Sequence, residues 1–262
     1  MKKVILFFSI LFTLSSLNAQ EANTQQSWDM SEGAMFDGKT IVKANMLGWA
    51  TRNFGFYGER IINKNISAVL GINFMPKGGV PYISKFSTDP LIKDIRVSSF
   101  SLTPEMRIYL SKSGYGRGFY IAPYYKYERY NAHEYTLSYK DENDANQSLL
   151  LNGSLNTHSF GAALGVQWLL GKNKNIALDW TILGAHYGVN YGSFNGLSSY
   201  TLSAAEQADI KKELESSIGD VKINDTQILK LQSVDVDANS AQAKIKSPWA
   251  FIRASLSIGY RF

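Results

Sequence analysis

The chain contains no cysteine, only six prolines and, after its first twenty residues, no apolar stretch close to the ~18 residues of a membrane helix. The missing cysteine excludes disulfide bonds and a lipid-modified cysteine as ways to hold or anchor the chain. The missing apolar stretch excludes a transmembrane helix in the exported chain. Tyrosine, phenylalanine and glycine are abundant instead, with 15, 14 and 21 residues. This composition is typical of secreted β-proteins and of outer-membrane β-barrels.

The charge of the chain is mildly basic. Its 27 Lys and Arg residues outnumber its 22 Asp and Glu residues, for a formal net charge of +5. Lys2 and Lys3 lie in a segment that we expect to be removed, which leaves 25 basic against 22 acidic residues, or +3. This excess is too small and too evenly scattered to indicate nucleic acid binding.

The N-terminus has the features of a secretory signal peptide in the correct order. A short basic start is followed by the apolar run VILFFSILFTLSSL and then by Ala19, a small residue suited to cleavage. We therefore predict a signal peptide over residues 1–19, cleaved near Ala19, and an N-terminal extension over residues 20–39.

The rest of the chain alternates between apolar and polar residues with the period of a β-strand. From Phe100 to Leu110 the even-numbered residues are apolar and the odd-numbered ones are mostly polar, and the final segment repeats this pattern. Residues 40–262 are therefore predicted to form an all-β, eight-stranded antiparallel up-and-down transmembrane β-barrel. The strands are expected near residues 40–49, 53–62, 65–75, 95–111, 117–139, 155–170, 175–190 and 248–262.

Short and long connections alternate between these segments. The sequences INKN, SKSGYG and GKNKN are short and suited to tight turns. Long connections are predicted at residues 76–94, 140–154 and 191–247. Short turns at one end and long loops at the other are typical of outer-membrane barrels, whose long loops face outward.

The last long loop contains a predicted helix. Ser203 and Glu206 have the spacing of a capping box, and an amphipathic helix is expected over residues 203–218. We expect this helix to pack on its own loop or on the rim of the barrel, rather than to bind a partner. Its narrow apolar stripe consists of Ile210, Leu214 and Ile218.

The polar faces of the predicted strands carry charges in mid-strand. If these faces met water, the apolar faces would have to fill the interior, as in a lipocalin, and they are too bulky for an eight-stranded barrel. We therefore place the apolar faces against lipid and the charges inside, where they are expected to pair as a plug. The predicted plug residues are Lys43, Glu59, Glu105, Arg107, Lys126, Glu128, Arg253 and Arg261.

Several segments resemble the small eight-stranded outer-membrane β-barrel proteins, and in particular their uncharacterised families common in Bacteroidota. These segments are VKANMLGW, FGFYGERIINKNISAVLGINF, LTPEMRIYL, GFYIAPYYKYERY and IRASLSIGYRF. The ending is similar to the signal by which the barrel assembly machinery recognises its clients, which implies a recognised face of Leu256, Ile258, Tyr260 and Phe262. The resemblance implies an outer-membrane location with membrane lipids and that machinery as partners, but it implies no activity.

The expected function is structural, or else surface binding and adhesion through the long loops to an unidentified extracellular ligand or protein. The alternatives are a lipid A-modifying enzyme and a small transporter of apolar or ionic ligands. The enzyme would need His133 or His186 to meet a serine and an acid at the rim, whereas His158 is expected to face lipid. No cofactor, phosphate-binding or metal motif is present, and no catalytic residue is assigned.

Overall fold

The computed structural model describes residues 38–79, 96–112, 114–141, 145–219, 222–223, 226–227 and 230–262. The predicted signal peptide and nearly all of the predicted N-terminal extension lie outside these ranges. The strands are β1 (Thr40–Asn45), β2 (Phe54–Ile61), β3 (Ile66–Gly79), β4 (Arg96–Tyr109), β5 (Gly118–Lys140), β6 (Asn146–Leu170), β7 (Ile176–Leu197), β8 (Lys222–Ile223), β9 (Thr226–Gln227), β10 (Leu231–Val236) and β11 (Ser240–Arg261). The helices are α1 (Met46–Ala50) and α2 (Ala204–Gly219).

The main sheet is antiparallel and closes on itself. Its order is β1-β2-β3-β4-β5-β6-β7-β11-β10, and β1 also pairs with β11. This second pairing runs from Ile41 opposite Arg261 to Asn45 opposite Ser257 and joins the first strand of the sheet to the last. Beyond the end of β1, α1 lies against β11. The strands β8 and β9 form a separate pair.

Within the ring, each strand turns alternate side chains inward and outward. In β4, Thr103 and Glu105 are buried inside, whereas Phe100 and Met106 point outward and are 44% and 46% exposed. From Phe100 to Ile108, the charged and hydroxyl side chains of β4 therefore lie inside the ring and its large apolar side chains outside, as the alternation predicts. This arrangement is the reverse of a water-soluble sheet.

Several predicted boundaries were wrong. The end of the first predicted strand, residues 46–49, belongs to α1. The predicted connections at 140–154 and 191–247 are in large part strand, since β6 begins at Asn146, β7 continues to Leu197 and β11 begins at Ser240. The strand β10 was not predicted. The additional strand segments all lie at one end of the ring, which we call the extended end. We call the opposite end, which has the connections at 62–65, 110–117 and 171–175, the turn end.

At the extended end the inner face of the sheet is apolar, whereas in the rest of the ring it is polar. A register shift in β5 between Ala132 and Tyr135 inserts an extra residue, so that Leu137 and Tyr139 point inward. The inner face there is apolar and packs on α2, so the alternation of the lower strands does not continue into these segments and does not predict them as strands. The buried core of this part consists of Leu137, Tyr139, Leu149, Leu151, Leu202, Ile210, Leu214, Ala241, Ala243 and Ile245.

The helix predicted at residues 203–218 is confirmed as α2, Ala204–Gly219. The Ser203 N–H donates to Glu206 Oε2 at 2.8 Å, and the Glu206 N–H donates to Ser203 Oγ at 3.3 Å, which completes the capping box. The bond from the Ser203 N–H to the carboxylate, and a second one from the Tyr200 hydroxyl, hold the pKa of Glu206 below its ordinary value. Ile210 and Leu214 of the apolar stripe are fully buried and pack against the sheet.

Among the residues that the structure describes, no helix is both long enough and apolar enough to cross a membrane.

Candidate functional site

A network of buried charges spans the interior of the ring. It joins strands that lie far apart in the sequence, because the pairing of the sheet brings their inward positions to one level. Lys43 comes from β1, Glu59 from β2, Arg107 from β4 and Asp179 from β7. These four side chains are at most 4% exposed.

Lys43 lies at the centre of this network and uses all three of its N–H donors. Its Nζ lies 2.7 Å from Glu59 Oε2, 2.6 Å from Asp179 Oδ2 and 2.7 Å from Gln167 Oε1. Because its ammonium group is fully buried, these bonds replace the water that it loses on folding.

Arg107 binds Asp179 as Lys43 does and adds Glu105 to the network. Its Nε lies 2.7 Å from Glu105 Oε1 and its Nη1 lies 2.8 Å from Asp179 Oδ2. The guanidinium carbon lies 4.1 Å from the centre of the Tyr120 ring, which adds a cation–π contact. Arg253 of β11 forms an ion pair with the second oxygen of Glu105 and so extends the network along the interior.

Hydroxyl groups complete the hydrogen bonds of the acids. Glu59 Oε1 accepts from Ser67 Oγ at 2.6 Å and from the Tyr109 hydroxyl at 2.7 Å. Asp179 Oδ1 accepts from the Tyr120 hydroxyl at 2.8 Å. The network thus contains three cations and three carboxylates and has no net charge, which is the condition under which buried ions are tolerated. Its charged members are Lys43, Arg107, Arg253, Glu59, Glu105 and Asp179.

The remaining predicted plug residues lie outside this network. Lys126 and Glu128 of β5 form a pair with Nζ and Oε1 2.7 Å apart, and the Tyr130 hydroxyl donates to the same oxygen at 2.9 Å. Arg261 is buried at the turn end, where its Nε donates to the Gly38 carbonyl. The eight predicted residues therefore separate into a central group of five, one pair and one residue near the end of β11.

The sequence pattern did not predict that Asp179 and Gln167 belong to the network. In the pairing with β6, Leu164 lies opposite Leu183 and the next residue, Gly165, lies opposite Thr181, so Ile182 is an extra residue in β7. The pairing with β11 also contains one extra residue of β7 at this point. Counting back in twos from the inward-facing His186 therefore places Asp179 on the wrong face. Charge balance is the signal that points to Asp179. The predicted plug has five cations but only three acids, and a closed interior requires further acids to balance them.

The three histidines have different surroundings. His186 is buried inside, with Nδ1 3.1 Å from the Tyr124 hydroxyl. His158 points outward, with Nδ1 2.6 Å from the Tyr125 hydroxyl. His133 lies at the shift in β5, and its Nε2 is 2.9 Å from Ser98 Oγ.

The His133–Ser98 contact brings a possible base to a possible nucleophile, but no carboxylate contact of His133 is found among the described residues. Within the same ranges, no group of three or more His, Asp or Glu side chains is placed to hold a metal ion.

The outward face of the ring is a broad apolar surface. Phe160 and Ile252 are 72% and 74% exposed, and Leu164 and Leu183 are 53% and 50% exposed. Leu164 lies beside Leu183 of β7 and Ile121 of β5 in one row across the sheet. Exposed apolar surfaces of this extent indicate that a partner or a membrane covers them.

The predicted assembly residues lie on this outward face at the turn end. Ile258, Tyr260 and Phe262 are 47%, 48% and 38% exposed, and Leu256 precedes them on the same face of β11. The rings of Tyr260 and Phe262 meet at a centroid distance of 5.0 Å, and the Phe262 N–H donates to the Thr40 carbonyl at 2.8 Å. Phe262 is therefore tied to the start of β1.

A family model described as "Protein of unknown function (DUF3575)" matches residues 6–216, which is most of the chain. The chain belongs to the DUF3575 family. The match covers β1 to β7 and most of α2 and ends before β8. A search of curated proteins found no match to this DUF3575 protein, and a search of solved structures found none either.

Proposed function

We propose that this DUF3575 protein is an outer-membrane β-barrel of eight strands with a plugged interior, which presents its extended end for surface binding or adhesion. In this proposal β1 to β7 and β11 form the barrel, while β10 pairs with β11 only at the extended end. The signal peptide, its cleavage near Ala19 and the outer-membrane location remain predictions that belong to the same proposal.

The observation that carries the proposal is the inverted distribution of polarity in a closed sheet. Lys43 and Arg107 are 1% and 2% exposed inside the ring, whereas Phe160 is 72% exposed outside. In water, this arrangement would leave a continuous apolar surface uncovered and would bury ions at a cost. In a bilayer, the same outer surface meets hydrocarbon and the closed sheet leaves no unpaired edge where β1 and β11 meet.

The plug argues against the transporter alternative. Lys43 and Arg107 both bind Asp179 Oδ2, and Glu105 pairs with both Arg107 and Arg253, so the ion pairs continue across and along the interior. A permeating ion or solute would have to break several buried ion pairs. We therefore propose a structural plug and assign the functional surface to the extended end.

The experiment that tests the barrel is the mobility of the full chain on a gel of the outer-membrane fraction. A folded barrel resists unfolding by detergent, so we expect the unheated and heated samples to migrate differently. Recovery of the chain in the soluble periplasmic fraction, with no such difference, would contradict the proposal.

Removal of Phe262 is expected to impair assembly into the outer membrane. The residue is part of the predicted recognition face and binds Thr40 of β1, so its loss affects both recognition and closure. The measurement is the heat-modifiable fraction in isolated outer membranes. The matched controls are deletion of residues 224–225, between β8 and β9, and the substitution of an exposed aromatic residue at the same end, Phe119→Ser. Equal assembly of the three variants would refute the prediction.

Hydrolysis of a lipid ester is a second candidate function, favoured by the 2.9 Å contact between Ser98 Oγ and His133 Nε2 on the outward face. In that case Ser98→Ala would abolish release of fatty acid from lipid A while the gel mobility of the folded barrel stayed unchanged. Release of fatty acid by the variant at the rate of the unmodified chain would reject the enzyme.

A further inference from the structure

The outward face of the extended end carries three rows of side chains across β4, β5, β6, β7 and β11, which we call the polar rows. Within a row, the residues are direct or near-direct neighbours on adjacent strands. The first row is Phe100, Arg129, Asn156, Tyr191 and Lys246; the second is Ser98, Asn131, Ser154, Ser193 and Lys244; the third is Arg96, His133, Asn152, Asn195 and Gln242.

The polar rows begin where the apolar face ends. The row next to them toward the turn end contains Tyr127, His158 and Val189, and the row beyond it contains Phe160 and Tyr187. Aromatic residues of this kind mark the level where hydrocarbon meets head groups in outer-membrane barrels. In the proposed orientation, the polar rows therefore stand at the level of the lipid head groups.

The polar rows carry four cations and no carboxylate. Arg96, Arg129, Lys244 and Lys246 are all exposed, and within the described residues none of them forms an ion pair. Arg129 Nε contacts Asn131 Oδ1 at 3.3 Å, and Lys246 Nζ lies 5.3 Å from the Tyr191 ring centre. On β10, beside the rows, Asp235 lies opposite Gln242.

A shallow depression opens among these rows at the register shift of β5. Its volume is about 330 Å³, and its polar lining consists of amide, imidazole and hydroxyl groups that can both donate and accept hydrogen bonds. A depression lined in this way suits the hydroxyl groups of a sugar. The lining residues are Asn131, Ala132, His133, Asn152, Gly153, Ser154 and Asn195.

We propose that the polar rows bind the phosphorylated sugar head groups of the lipids that surround the protein. The four cations meet phosphate groups and the depression receives a sugar, while the acyl chains of the same lipid lie along the apolar face below. The inference rests on the proposed membrane location and names the lipid that this side of the protein selects. It also makes the protein asymmetric in the membrane, because the four cations of the rows lie on β4, β5 and β11 and none of them lies on β1 or β2.

The position of the polar rows, next to the apolar face, favours a lipid over a soluble polyanion as their ligand. The rows continue the apolar face strand by strand, so a molecule that combines phosphates, sugars and acyl chains matches both surfaces at once. Attraction between several exposed cations and anionic head groups is a general source of lipid selectivity and weakens as salt screens it.

The test uses the full chain in detergent micelles, titrated with diphosphoryl lipid A, with occupancy read by native mass spectrometry. The variant replaces all four cations: Arg96→Gln, Arg129→Gln, Lys244→Gln and Lys246→Gln. We expect its affinity for this lipid to fall by at least about tenfold, since each cation near an anionic head group contributes measurably. The unmodified chain should bind dephosphorylated lipid A more weakly by a similar factor and should lose affinity as salt is added.

The control variant carries four glutamines in the turns at the opposite end, in place of Lys64, Lys112, Lys172 and Lys174. It should bind lipid A as the unmodified chain does, and both variants should keep the gel mobility of a folded barrel. Equal binding of the phosphorylated and dephosphorylated lipids, or tight binding of a soluble heparin fragment without binding of lipid A, would overturn the inference. A chain that does not shift on the gel would refute the membrane location itself, so the two failures are distinguishable.

Discussion

Replacing Lys43 with methionine should lower the free energy of unfolding by about 3–5 kcal/mol, the cost of removing one partner from a buried ion network. The substitution keeps the volume of the side chain close to that of lysine but removes three hydrogen bonds, to Glu59, Gln167 and Asp179. It leaves three carboxylates with two cations in a closed interior. The measurement is urea unfolding of the protein in micelles, followed by tryptophan fluorescence and gel mobility.

A matched control for this effect is Lys64→Met in the turn between β2 and β3. Lys64 is exposed, and its replacement should change the unfolding free energy by less than about 0.5 kcal/mol. The double variant Lys43→Met with Glu59→Gln restores charge balance and should recover part of the loss. If Lys43→Met proved as stable as Lys64→Met, the network would not hold the interior together.

Placing an arginine on the apolar outer face should be costly only if lipid covers that face. Leu164→Arg, in the row of Ile121 and Leu183, should destabilise the protein in lipid vesicles by about 2–4 kcal/mol, the cost of an arginine near the bilayer midplane on a barrel surface. In water the same change would be nearly neutral, since Leu164 is already 53% exposed. The measurement is the unfolding free energy in vesicles.

The control for this second variant lies on the same strand, ten residues away. Ser154 also points outward but belongs to the polar rows, so Ser154→Arg should cost less than about 1 kcal/mol. The difference between the two variants locates the edge of the bilayer along β6. Equal costs at both positions would mean that the apolar face is not in hydrocarbon, and the membrane proposal would then fail.

Much of the sheet could be predicted from the sequence, because strand alternation is a local property. Whether Phe100 and Glu105 face opposite sides depends only on the pleat of the strand that carries them. The capping box of Ser203 and Glu206 is local in the same way and marked the start of α2 correctly. The sequence by itself thus determined the main strands, their two faces and the helix.

Other features depended on the tertiary structure, because they arise from pairing between distant segments. Lys43 and Asp179 are 136 residues apart and meet only because the ring closes in a particular register. The extra residues in β5 and β7 reverse the alternation along each strand, and the neighbouring strands, rather than the local sequence, reveal them. The partners of the buried charges, the apolar core beneath α2 and the polar rows of the outer face were therefore decided by the fold. Each requires side chains from several strands at one level of the sheet, and alternation within a single strand does not specify that level.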